Sequence, residues 1–240
     1  MNKKKIIMII GVVLILGMGG YFLLVHKEPN KDALRFKNEY ESLNDTIRDS
    51  DGAKYNNVRI DKNNPIKYVS VNEAIKLLDS KNAIIYVGAN WCPWCRNMIN
   101  PMLDVAKKLN IKTIYYLELD DDKSNYEIQK NELKQINKGS KNYYELLDKL
   151  KDYLRDYELT DSDGKTYSTG EKRIYMPFFI TIKNGDIVEA KEISRTLEEG
   201  QTKYSEMTEK QYNDLYNDFY ETFSKIYASS NTCSVDEKCN

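Results

Sequence analysis

Ala83-Ile84-Ile85-Tyr86-Val87, followed by Gly88-Ala89-Asn90-Trp91-Cys92-Pro93-Trp94-Cys95, is the stretch whose reading decides the fold. Its apolar, β-rich beginning reads as a buried strand over Ala83 to Val87. Two cysteines then stand three positions apart where a helix begins, so Asn90 to Leu109 reads as loop, cysteine pair and helix. Cysteines at this spacing can close a disulfide. The first thiol would lie over unpaired backbone N–H groups, whose partial positive charge favours the thiolate and lowers its pKa. Pro93 suits the first helical turn, because its missing N–H would have had no partner there. Both tryptophans of the chain, Trp91 and Trp94, flank the pair and give flat apolar surface suited to docking a peptide.

A second landmark lies downstream. Met176-Pro177 precedes the apolar run Phe178-Phe179-Ile180-Thr181-Ile182, then Lys183-Asn184-Gly185-Asp186 and Ile187-Val188. Asn184-Gly185 between two β-rich runs signals a hairpin, since both residues tolerate the positive φ of a type I′ turn. A proline just ahead of a strand is admissible at its first position.

With these residues in this order, the chain resembles the thioredoxin superfamily. The resemblance implies an α/β, thioredoxin-like fold: a central mixed sheet with helices on both faces, and a cis bond at Met176-Pro177 facing the cysteine pair. It implies that Cys92 attacks and Cys95 resolves, with Trp91, Pro93, Trp94, Met176 and Pro177 binding substrate, and with no cofactor and no metal. The partners implied are protein or peptide thiols and disulfides, and a membrane electron-transfer partner. One position departs from the family: the buried acid six residues before the first cysteine is Tyr86 here, which puts thioredoxin-like reduction in question. The Cys-Pro-aromatic-Cys form is closer to glutaredoxins and periplasmic disulfide-forming oxidases, so the direction of exchange stays open. The part after the membrane run also resembles membrane-anchored thioredoxin-like proteins of low-GC Gram-positive bacteria, among them relatives of bacteriocin transport accessory proteins. The shared features are the apolar strand, Cys92-Pro93-Trp94-Cys95-Arg96 and the late Pro177-Phe178-Phe179 strand.

Location follows from the beginning of the chain. After Lys3, Lys4 and Lys5, the run Ile6 to Val25 holds twenty residues without a charge. As a helix it spans about 30 Å, the thickness of a bilayer's hydrocarbon core. The lysines ahead of it stay cytoplasmic by the positive-inside rule, which places everything after His26 outside. The run is longer than a signal-peptide core and no small-x-small cleavage pattern follows it, favouring an uncleaved, single-pass signal-anchor in the cell membrane over a cleaved leader. Outside the cytoplasm disulfides persist, so the four cysteines pair as Cys92 with Cys95 and as Cys233 with Cys239, the second pair read as structural, with a shuttle pair that hands electrons to Cys92-Cys95 as the alternative. Closing that loop would stabilise the tail by about 2 kcal/mol in the loop-entropy picture.

The division expected is a cytoplasmic tip and anchor over residues 1–26, a stalk and linker over 27–57, a domain over 58–228 and a disulfide-closed tail over 229–240. Asp32 to Asn44 reads as a stalk helix and Asp45 to Asn57 as a polar linker. Val58 to Ile60 and Ile66 to Val69 offer first-strand material, and Ser70-Val71-Asn72-Glu73 has the form of a capping box ahead of a helix. Thr113 to Leu119 supplies the next strand, and Pro101 is expected to kink the cysteine helix. Residues 122–173 form an insertion before Pro177. It is expected to be helical, on the stripe Tyr143, Leu146, Leu147, Leu150, Tyr153, Leu154 and Tyr157, with a loop or short hairpin around Asp163-Gly164. Thr208 and Gln211 form a second capping box ahead of a terminal helix.

The formal net charge is −1, and setting aside the three N-terminal lysines leaves −4 on the remainder, which gives no basic footprint for nucleic acid. A zinc site built from all four cysteines is disfavoured by the five-residue gap between Cys233 and Cys239 and by a single histidine, His26, at the membrane edge. Two function classes are carried forward. One is an extracytoplasmic thiol-disulfide oxidoreductase acting on secreted or surface proteins. The other is a non-catalytic accessory or binding module of a secretion or bacteriocin export system that holds a partner in the tryptophan-lined groove.

Overall fold

The structure is a computed structural model that describes residues 29–49, 51–80 and 82–226. The apolar run Ile6 to Val25 and the pair Cys233 and Cys239 lie outside the described residues.

Strand β2 (Asn82–Val87) forms where the apolar run predicts it, and its side chains alternate. Ile84 and Tyr86 enter one core cluster, while Ala83, Ile85 and Val87 enter another. A strand buried on both faces belongs at the centre of a sheet covered on both sides. The sheet has five strands in the order β1 (Ile66–Tyr68), β3 (Ile114–Leu117), β2, β8 (Phe178–Lys183), β9 (Asp186–Glu192). The first three run parallel, β8 adds antiparallel to β2 and β9 adds antiparallel to β8, so the sheet is mixed. Asn184 and Gly185 turn the β8–β9 hairpin with φ of 55° and 89°, as the turn signal requires.

Helices cover both faces. On the Tyr86 side lie α1 (Lys31–Glu41), α3 (Pro93–Lys108) and the last helix, α5 (Glu209–Ser224), packed through Phe36, Tyr40, Met98, Met102, Leu215 and Phe219. On the other side lie α2 (Val71–Leu78) and α4 (Lys141–Leu150), through Ala74, Leu78, Leu146 and Leu150. The helix α2 starts at Ser70 with both hydrogen bonds of its capping box made with Glu73, and α5 starts in the same way at Thr208 with Gln211. Pro101 lies inside α3.

Three expectations are corrected. The segment read as a stalk is part of the folded unit: Ala33, Phe36 and Tyr40 of α1 are fully buried against the sheet. Its linker is also tied down, since Asn44 and Val58 exchange two hydrogen bonds of 2.8 and 2.9 Å. Val58 and Ile60 are buried in the core, but only Ile66 to Tyr68 of the first-strand material joins the sheet.

The insertion is not mainly helical. It comprises a hairpin of β4 (Asn125–Gln129) and β5 (Glu132–Asn137), then α4, then a second hairpin of β6 (Arg155–Thr160) and β7 (Thr166–Arg173). The stripe expected to continue to Tyr157 leaves the helix at Leu150, passes a 3-10 turn at Lys151–Tyr153 and becomes extended at Leu154. Leu154 and Tyr157 remain buried while Tyr153 in the 3-10 turn is exposed, so the stripe breaks where the backbone changes from helix to strand. The short hairpin around Asp163-Gly164 forms as expected, with Gly164 at φ 82°.

Candidate functional site

Sheet register brings the two landmarks together. Val87 at the carboxyl end of β2 pairs with Phe178 at the start of antiparallel β8, so the loop leaving β2 meets the residues that precede β8. The first carries Cys92 and the second carries the Met176-Pro177 peptide bond, which is cis. Ala89, Cys92 and Cys95 form a small buried cluster with Trp94 and Met176 packed on it.

Cys92 is the N-cap of α3, and Pro93 occupies its first turn. The Cys92 sulfur accepts the Cys95 backbone N–H at 3.4 Å, and its S–H lies 3.9 Å from the Met176 carbonyl oxygen. Both cysteines are free, with Cys92 5% exposed and Cys95 fully buried. That difference separates their chemistry. A hydrogen bond from Cys95 holds the Cys92 thiol below its ordinary value against the cost of burial, helped by the backbone N–H groups of Cys95 and Trp94 and by the Lys203 ammonium. Burial pushes the Cys95 thiol well above its ordinary value, and the neighbouring Cys92 adds to this. One thiol is poised as a nucleophile at the surface end. The other keeps its proton beneath it.

The sequence-derived substrate residues divide by accessibility. Trp91 is 40% exposed, and Trp94 and Met176 are half-buried, whereas Pro93 and Pro177 are buried. Pro93 therefore serves the helix start rather than offering a docking face. The Trp91 indole N–H donates to an Asp120 carboxylate oxygen at 2.6 Å, and the Lys123 ammonium sits 5.4 Å from the ring centroid. This leaves Trp91 as a held, exposed plate at the edge of the site.

Sequence reasoning missed two features here. The first is Arg96, next after Cys95, which is 2% exposed. Its guanidinium donates to the carbonyls of Asn56, Tyr40 and Asn90 at 2.7, 2.7 and 3.1 Å and to the Asn44 side-chain oxygen at 2.8 Å. It thereby fastens the cysteine helix to α1 and to the segment expected as a linker. Burial lowers its pKa, and the surrounding carbonyls satisfy its donors. The only signal available in the sequence was its position one residue after the motif.

The second is a group of tyrosines beneath Cys95. The Tyr86 hydroxyl lies 2.8 Å from that of Tyr40, which lies 3.3 Å from that of Tyr116. All three rings are fully buried, and burial raises each phenol well above its ordinary value. The Tyr86 hydroxyl and the Ala89 backbone N–H both favour the Cys95 thiolate, against the larger cost of burial. Tyr86 reaches this place because residue 88 is glycine: a Cβ there would stand 2.2 Å from the Tyr86 hydroxyl oxygen. The departure at Tyr86 was visible in the sequence. Its two partners were not, because they come from α1 and β3.

No protein-family model matches the chain, and no curated protein matches it.

Proposed function

We propose that this chain is a thioredoxin-like thiol-disulfide oxidoreductase, held at the outer face of a membrane by Ile6 to Val25, that exchanges disulfides with secreted or surface proteins. The observation that carries this reading is the asymmetry of the cysteine pair. Cys92 caps a helix and faces the Met176 carbonyl beside a cis proline, while Cys95 lies behind it with no exposed surface.

In the reducing direction the Cys92 thiolate attacks one sulfur of a substrate disulfide. A Cys92–substrate disulfide forms, and the other substrate sulfur leaves as a thiolate with the electron pair. Cys95 then loses its proton and attacks the Cys92 sulfur, which releases the second substrate thiolate and leaves the Cys92–Cys95 disulfide. The oxidising direction runs the same steps backwards, and the potential of the pair relative to its surroundings sets which prevails. Substrate lies across Trp94 and Met176 with Trp91 at the edge, and the Met176 backbone pairs with an extended peptide. A membrane electron-transfer partner returns the pair to its starting state.

The test is the trap variant Cys95→Ser. Incubated with oxidised proteins from the extracellular face, it is expected to accumulate mixed disulfides through Cys92 that reductant releases. If no such adduct forms, and the double variant with Cys92→Ser retains the same non-covalent partners, the protein is a binding module and the exchange reading is wrong.

A further inference from the structure

We propose that Tyr86, Tyr40, Tyr116 and Glu118 form a proton wire that takes the proton from Cys95 when it resolves a mixed disulfide and returns it in the reverse step. The proposal rests on the exchange reading above and deepens it, since that reading leaves the Cys95 proton without a destination.

Cys95 has no exposed surface, and its thiol must pass its proton to a group within the protein before it can attack as a thiolate. The carboxylate that could do so directly is replaced by Tyr86, whose phenol holds its own proton too firmly to be a base. A chain of hydroxyls moves a proton without any of them ionising, provided that each can pass one on as it receives another. Three of the four links are hydrogen bonds in the structure, and at the first the Tyr86 hydroxyl favours the Cys95 thiolate. The Tyr86 hydroxyl is 2.8 Å from that of Tyr40, Tyr40 is 3.3 Å from Tyr116, and Tyr116 donates to a Glu118 carboxylate oxygen at 3.2 Å.

Outward transfer requires each group to donate to the next, Cys95 to Tyr86, Tyr86 to Tyr40, Tyr40 to Tyr116 and Tyr116 to Glu118, and the two tyrosine–tyrosine contacts allow either hydroxyl to donate. After transfer the whole set reverses, with protonated Glu118 donating inward and Tyr86 donating to the thiolate. The balance closes. The Cys95–Cys92 sulfur bond forms, the Cys92–substrate sulfur bond breaks, the substrate sulfur leaves with the electron pair, and the proton ends on Glu118.

Glu118 is suited to the far end. Its side chain is 36% exposed and lines a cleft of about 450 Å³ with Arg35, Tyr68 and Asp120, so it reaches solvent. Burial raises its pKa, and Glu39 on α1 raises it further while Arg35, 3.5 Å away, opposes this. The other groups facing the wire are accounted for. Tyr68 of β1 packs edge-on to Tyr116 at 5.0 Å and gives its hydroxyl to Glu39, while Arg96 of α3 engages the backbone carbonyl of Tyr40. On the β8 side, Phe179 stacks on Tyr86 at 4.9 Å and closes that side to water.

The test uses the full-length reduced protein and oxidised glutathione in single turnover from pH 5 to 9, with acid quench and mass spectrometry separating formation of the Cys92–glutathione disulfide from its resolution by Cys95. The variants are Tyr86→Phe, Tyr116→Phe and Glu118→Gln. Tyr116→Phe touches neither cysteine, and Glu118→Gln sits at the partly exposed end, so it keeps the test alive if a buried variant fails to fold. Resolution is expected to slow at least tenfold in each, a conservative share of what positioned proton transfer contributes. Formation and its pH profile should be unchanged, and Glu118→Gln should lose the acid limb of the resolution profile. Resolution within twofold of the parent in Tyr116→Phe and Glu118→Gln overturns the wire while leaving exchange intact. Failure of the parent protein to form the Cys92 adduct overturns the exchange reading and the wire with it.

Discussion

Two residues three positions apart carry opposite acid-base characters because one caps a helix and the other is sealed beneath it. The hydrogen bonds that lower the Cys92 pKa make it a thiolate at a pH where an ordinary thiol is largely protonated. Alkylation of the reduced protein by iodoacetamide should therefore rise at Cys92 through a midpoint below the usual value of about 8.5, with Cys95 unlabelled across the same range. Mass spectrometry of the two sites against pH checks this, and a common midpoint near 8.5 would contradict it. Arg96 is the third residue of consequence. Its four hydrogen bonds lie in a buried place, so Arg96→Ala strands several carbonyls without donors. The expected cost is about 3 kcal/mol in urea unfolding. Arg96→Lys should recover little of it, because a single ammonium cannot span the planar fork of acceptors.

Local signals place most of the helices and strands, and tertiary contacts decide what they are for. The capping boxes at Ser70 and Thr208 and the Asn184-Gly185 turn were legible because each is settled within four residues of chain. The role of α1 was not. Ala33, Phe36 and Tyr40 are three apolar positions among charges, a pattern equally suited to a stalk until the sheet they cover is known. The β4–β5 hairpin was missed for the opposite reason: β5 is almost wholly exposed, so no alternation of apolar residues marks it. The burial of α1 has a direct consequence. Phe36→Ala should destabilise the fold by about 3–5 kcal/mol, as for other buried phenylalanines, whereas a stalk residue would change nothing measurable. At the turn after β2, Gly88→Ala should displace the Tyr86 ring and slow resolution of a mixed disulfide without slowing attack by Cys92. Single-turnover kinetics of that variant separates the two steps.

Across the whole molecule, one mixed sheet divides the core into a tyrosine-rich side under α1, α3 and α5 and an aliphatic side under α2 and α4. The tyrosine-rich side gives the fold a dependence on pH. Burial raises the pKa of Tyr40, Tyr86 and Tyr116 in the folded state, so the unfolded chain loses these protons first as pH rises. Their contribution to stability is fully present below about pH 10 and falls above it by about 1.4 kcal/mol per pH unit for each group, the unfolded state binding fewer protons. Urea unfolding between pH 8 and 11 should show this fall, and a flat profile would mean that the three phenols are not held as described. The cysteine pair and its proline were readable at this scale because each carries its signature locally. Tyr40, Tyr116 and Arg96 join the site only through packing between elements far apart in the chain. The measurement that bears most directly on the function is the equilibrium of the Cys92–Cys95 pair with glutathione and dithiothreitol buffers, read by mass spectrometry with Cys233 and Cys239 followed separately. A pair that exchanges fully, with a potential between about −270 and −120 mV, is the expected result. A pair that never closes a disulfide, or one that only strong reductant opens, would contradict a role in thiol-disulfide exchange.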